Sequence, residues 1–156
     1  MAYQKLQTSR ALEVIPSNNA NIPSTNISAS GTNTSIVALQ LVDSTAFFVT
    51  RNVQVGDVVY NTTSSTAATV TKVISETVIQ LNVNIFTASP QNYIVYAANG
   101  SKEGCVLYVG TGGDLDVVTA GGQSVTFVGI VGGSFLPVQV LKVTASTTAS
   151  NIVALW

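Results

Sequence analysis

Between Ile79 and Ile85 the chain alternates apolar and polar residues without a break. Ile79, Leu81, Val83 and Ile85 are interleaved with Gln80, Asn82 and Asn84. A period of two puts the apolar set on one face of an extended strand and the amides on the other. The wider composition agrees. Val, Thr and Ile make up about a third of the chain, and these are the residues that suit a pleated surface. No window of helical length carries apolar residues at a sustained three-to-four spacing with caps. The fold class expected is therefore all-β: antiparallel β-sandwich or small-barrel units with an extended N-terminal arm.

Three segments follow from the pattern. Residues 1–35 read as the arm. Gln4 to Val14 can form a strand, but beyond Pro16 come Ser17-Asn18-Asn19-Ala20-Asn21-Ile22-Pro23, rich in turn formers. Such a stretch buries too little apolar surface to offset its own ordering, so it needs another surface for support. That surface is expected on a neighbouring subunit. Residues 36–98 read as a β module. Val37, Leu39 and Leu41 share a side, Val53–Tyr60 is interrupted by a turn or bulge at Gly56-Asp57, and Thr66–Ile74 and Asn92–Ala97 are further strands. Residues 99–156 read as a C-terminal β module that can pack with part of the arm. Here Asp114–Thr119 and Ser124–Val128 flank a hairpin turn at Ala120-Gly121-Gly122-Gln123, and Val138–Ala145 and Ile152–Leu155 follow.

The bulk numbers narrow the function. The 156 residues are 46% hydrophobic and only 8% charged, with a formal net charge of -1. No field of one sign exists to attract nucleic acid or an anionic membrane. Weak self-repulsion also leaves a free monomer with little colloidal protection, which suggests a surface covered by partners. Cys105 stands alone, which excludes an intrachain disulfide and a thiol-rich metal cluster. The opening residues lack the apolar run of a secretory signal. Val117 to Leu141 carries no charge, but Gly121-Gly122, Gly129, Gly132-Gly133 and Pro137 break it too often for a membrane helix.

Reactive chemistry is scarce. With no His there is no ordinary Ser-His-Asp triad, and no motif places Lys72 or Lys142 beside a particular Ser. Gly110-Thr111-Gly112-Gly113 lacks the Gly-Lys-Ser/Thr ending of a phosphate loop and reads as a turn between strands. Asp114 and Asp116 share a strand face, but two carboxylates without a third ligand are weak grounds for calcium or glycoside hydrolysis. Cys105 precedes Val-Leu-Tyr-Val and reads as a core thiol. Asn26, Asn33, Asn61 and Asn99 head glycosylation-type triplets that follow from the Asn/Ser/Thr richness. Phe47, Phe48, Tyr93, Tyr96 and Tyr108 could form a carbohydrate platform if exposed, although aromatics in strand-like runs are more often core. The apolar ending Ile152-Val153-Ala154-Leu155-Trp156 is expected to dock into its own core or a neighbour. The interface residues expected are Leu6, Leu12, Val14, Ile15, Ile22, Leu155 and Trp156. No catalytic residue, cofactor or metal ligand is assigned.

Two stretches carry a resemblance. The opening Met1 to Leu12, with Val14-Ile15-Pro16-Ser17 and Asn21-Ile22-Pro23, resembles the start of small virion structural proteins of tailed bacteriophages, of the marine and cyanobacterial type. So does the ending, through Leu107-Tyr108-Val109-Gly110, Leu136-Pro137-Val138-Gln139-Val140 and Ile152 to Trp156. Val55 to Thr63 resembles a β module inserted in such proteins. The resemblance implies a non-enzymatic virion component. The function expected is a capsid decoration or cement subunit bracing neighbouring capsid proteins, the major capsid protein foremost. It would be a homo-oligomer, a trimer among the options, assembled in the bacterial host cytoplasm. A neck, tail or baseplate adaptor or spike base, and a receptor- or glycan-binding module, stand as alternatives.

Overall fold

The computed structural model describes residues 8–100 and 104–156. Their regular structure is strand throughout, with no helix. Strand β1 (Ala11–Glu13) comes first. Then follow β2 (Ile27–Thr32), β3 (Ser35–Val37), β4 (Gln40–Val42), β5 (Val58–Asn61), β6 (Thr66–Val73), β7 (Val78–Leu81) and β8 (Asn92–Tyr96). These seven later strands form one antiparallel sheet in the order β2-β8-β5-β6-β7-β4-β3. The rest are β9 (Cys105–Thr111), β10 (Gly113–Thr119), β11 (Ser124–Ile130), β12 (Ser134–Val143) and β13 (Ser150–Leu155). They join β1 in a second antiparallel sheet, ordered β1-β13-β9-β12-β10-β11. The molecule is all-β, and its two sheets pack together as a β-sandwich.

Alternation sorts the side chains. In the seven-stranded sheet Leu41, Val59, Ala68, Val70, Ile79, Leu81 and Val95 point into one core, closed by Phe48, Phe86 and Tyr93. The opposite parity of β5, β6 and β8 supplies Val58, Tyr60, Ala67 and Tyr96 to a smaller cluster. The alternation read from Ile79 to Ile85 outlasts its strand: β7 ends at Leu81, yet Ile85 is buried in the same core and Val83 packs against it. In the second sheet Leu107, Val109, Leu115, Val117, Val140, Val143, Ile152 and Ala154 build a core of their own. Strand β12 bends through a register shift, so its first half pairs with β9 and its last residues with β10. This closes the sheet over that core.

Two expectations are corrected here. The arm does not extend to residue 35, because Ile27–Thr32 is an edge strand of the seven-stranded sheet, paired with β8. Its small residues permit the placement: a Cβ on Gly31 would lie 2.6 Å from Asp43 Oδ2. Nor do Val37, Leu39 and Leu41 share a side. A two-residue turn at Ala38-Leu39 joins β3 to β4, with Leu39 at φ 58°, leaving Val37 and Leu39 exposed and Leu41 buried. The hairpin at 120–123 is present, with Gly122 at φ 84° and Gln123 N donating to Thr119 Oγ1.

Candidate interaction surface

The described part of the arm lies across its own chain. Ser9 N and Arg10 N donate to Trp156 O, Trp156 N returns to Arg10 O at 3.0 Å, and β1 extends the sheet along β13. Val14 N then donates to Ile152 O at 2.9 Å and Ile22 N to Leu141 O at 2.8 Å. Between them the chain runs where it can bond to both sheets. Ser17 is buried there, its N–H donating to Val143 O on β12 at 2.8 Å and its hydroxyl to Ala67 O on β6 at 3.1 Å. Asn18 serves the six-stranded side: its carbonyl accepts from Lys142 Nζ and its Oδ1 from Ala145 N. Asn19 serves the other side, its carbonyl accepting from Thr69 Oγ1 and Asn82 Nδ2. The turn-forming residues are therefore a polar seam between two β units.

The expected interface residues are largely consumed by this seam. Val14 and Ile22 are buried in the core of the six-stranded sheet, and Trp156 packs against it. Leu12 and Ile15 pack on the cluster of Ala20, Val58, Tyr60, Ala67 and Tyr96. The structure gives these side chains partners within their own chain for a physical reason. The edge of β13 and the gap between the sheets offer the arm its partners within one chain, without the cost of association. Leu6 lies outside the described residues. Leu155 differs from the others: Ile152 and Ala154 point into the core, so Val153 and Leu155 face outward.

On that outward face sequence reading singles out only Leu155 and Tyr108. On β9, Leu107 and Val109 are buried, so Val106 and Tyr108 lie on the other side. Register aligns Val153, Tyr108 and Phe135 side by side on β13, β9 and β12, and Leu155 beside Val106. The Tyr108 and Phe135 rings contact at 5.3 Å between centroids. Phe135 is 64% exposed and the nearby Val131 74% exposed. Phe135 is the exposed member of this face, while Val106, Tyr108, Val153 and Leu155 are half-buried. Its signal was present in the sequence: Val106-Leu107-Tyr108-Val109 and Ile152-Val153-Ala154-Leu155 are apolar on both parities, as in a strand covered on both faces. Further apolar exposures occur at Ile27, at Ile36, at Phe47, Val49 and Val55, and at Val128 on β11.

The titratable groups are held in structural roles. Asp43 is buried, accepting from Tyr93 Oη at 2.7 Å and from Thr45 N and Oγ1. Burial, reinforced by this bond, raises the Tyr93 pKa well above its ordinary value. Burial raises Tyr60 likewise, where the arm and both sheets meet. It also pushes the Cys105 thiol up to about 12, so the sulfur stays protonated and is a poor nucleophile. Asp114 Oδ1 accepts from Gly129 N, while Asp116 accepts from the Thr126 hydroxyl, which with Ser146 lowers its pKa. Both carboxylates thus pin the β10–β11 hairpin. Thr50 lowers Glu76 in the same way. Among the described residues no three His, Cys, Asp or Glu side chains cluster as metal ligands. At Gly112 a Cβ would lie 2.6 Å from Ile130 O, so the Gly-Thr-Gly-Gly turn is closed against its own chain and has no cradle for phosphate. Phe48, Tyr93 and Tyr96 are buried, which leaves Phe47 and part of Tyr108 from the aromatic set. No helix among the described residues is long and apolar enough to cross a membrane. Comparison with protein-family models, curated proteins and solved structures finds no match.

Proposed function

We propose that this chain is a non-enzymatic structural subunit of a tailed-phage virion, a capsid decoration or cement protein acting through non-covalent contacts. The observation that carries the reading is the outward-facing apolar row Val153–Tyr108–Phe135, on a framework whose Asp43, Tyr93 and Cys105 are tied up internally. A rigid β body with a flat apolar face is suited to bracing neighbours, and repetition on a lattice multiplies weak contacts. The resemblance of both chain ends to small virion proteins supplies the setting.

Deleting residues 1–24 would strip a strand from one sheet and buried side chains from two cores, so it cannot isolate attachment from folding. A cleaner experiment adds purified full-length chain to particles lacking it and measures sedimentation with the particle. Saturable binding that raises particle resistance to heat or low salt is expected. No binding to intact particles, with the chain folded, would reject a decoration role.

A further inference from the structure

We propose that the outer face of β13, β9 and β12 is a two-fold contact with a second copy of this chain; this deepens the virion reading above and rests on it. Three observations favour a second copy over another occupant. First, among the described residues the face carries no charge of its own: Val106, Tyr108, Phe135, Val153 and Leu155 make it up, with Glu13 on β1 at its border. Two copies can meet there without like-charge repulsion, and nothing on it selects a charged partner.

Second, the row is graded in size. A two-fold axis parallel to the strands through Tyr108 reverses the row. It lays Phe135 of each copy over Val153 of the other and brings the two Tyr108 rings together. The large, protruding side chain meets the small one, as face-to-face sheets about 10 Å apart require. Third, the area fits a weak contact. Three strands about 4.8 Å apart and about six residues long cover roughly 300 Å². A stable pair buries about 800 Å² per partner. The contact therefore forms reversibly in dilute solution and firmly where copies are concentrated on a surface.

Sedimentation equilibrium of the full chain, from about 10 µM to 1 mM, tests this with no particle present, so virion membership is judged separately. The expected result is a reversible shift from 16.2 kDa towards twice that mass across this range. Phe135→Lys should weaken association at least tenfold with an unchanged circular dichroism spectrum. Val153→Phe should weaken it as well, because it fills the space Phe135 needs. Val128→Lys, on β11, should leave it unchanged. A protein that stays monomeric at 1 mM overturns the proposal. So does association indifferent to Phe135→Lys, or strengthened by Val153→Phe. A monomer whose Phe135→Lys variant loses particle binding would assign the face to a capsid protein and also overturn it.

Discussion

The two sheets solve the same problem by different means. Within the six-stranded unit, long adjacent strands bury Leu107, Val109, Leu115, Val140, Ile152 and their neighbours, and among the described residues no buried polar side chain enters that core. The seven-stranded unit has shorter strands and longer connections, and it buries Asn33, Asp43, Asp57, Asn61 and Gln91. Each pins a connection. Asn61 Nδ2 donates to Ile85 O and Gln91 Oε1, while its Oδ1 accepts from Thr63 N and Ser64 N. Asp57 accepts from Gln54 N and Ala98 N, and Asn33 Nδ2 reaches Ala88 O. Among the described residues no buried side-chain polar atom is left unpaired. Where strands are contiguous, apolar burial suffices. Where the backbone wanders, its orphaned groups need side-chain partners.

Four experiments can break or sharpen that contrast. The largest effect is expected from Leu107→Ala, a cavity in the apolar unit costing about 3–5 kcal/mol in urea denaturation. A loss below about 1 kcal/mol would mean that core is loosely packed. Next, Asn61→Ala should cost about 2–4 kcal/mol, since it removes four hydrogen bonds at once. Asn61→Leu should not recover this loss, because the backbone groups of Thr63, Ser64 and Ile85 still lack the side-chain amide that ties them together. Recovery would show that volume, not hydrogen bonding, holds that unit.

The third experiment is alkaline titration. The folded state holds the protons of Cys105, Tyr60 and Tyr93 more tightly than the unfolded chain does. Stability from the thiol is complete below its ordinary value of 9.0 and is lost as pH rises towards about 12. The phenols add to this loss above their ordinary value of 10.0. Denaturation curves should weaken progressively above pH 9, and Tyr93→Phe should flatten the part beyond pH 10. Constant stability to pH 11 would contradict the burial of all three. The smallest effect is expected at Leu39, held at φ 58° with its side chain exposed. Leu39→Gly should stabilise the β3–β4 turn by about 0.5–1 kcal/mol. A loss of stability would show that Leu39 contributes packing.

Legibility in the sequence followed the range of the interactions. Alternation at Ile79–Ile85 and the Gly121-Gly122 turn are local signals, and both reappear in the structure. The all-β class followed from composition for the same reason. The arm was misread because Ser17, Asn18 and Asn19 look like turn formers, while their partners Ala67, Thr69, Lys142 and Val143 lie far along the chain. The outer face was read only at Leu155 and Tyr108 because doubly apolar strands suggest a covering layer, and only topology shows which parity faces outward. Cys105 as a core thiol was legible from its strand.

The claim on which the rest depends is that this chain works by contact on a particle surface. Quantitative mass spectrometry of purified particles measures it most directly, by counting copies of this chain against the major capsid protein. Hundreds of copies per particle are expected for a decoration subunit. A dozen or fewer would place it on the tail axis instead, and its absence from purified particles would contradict the virion role outright.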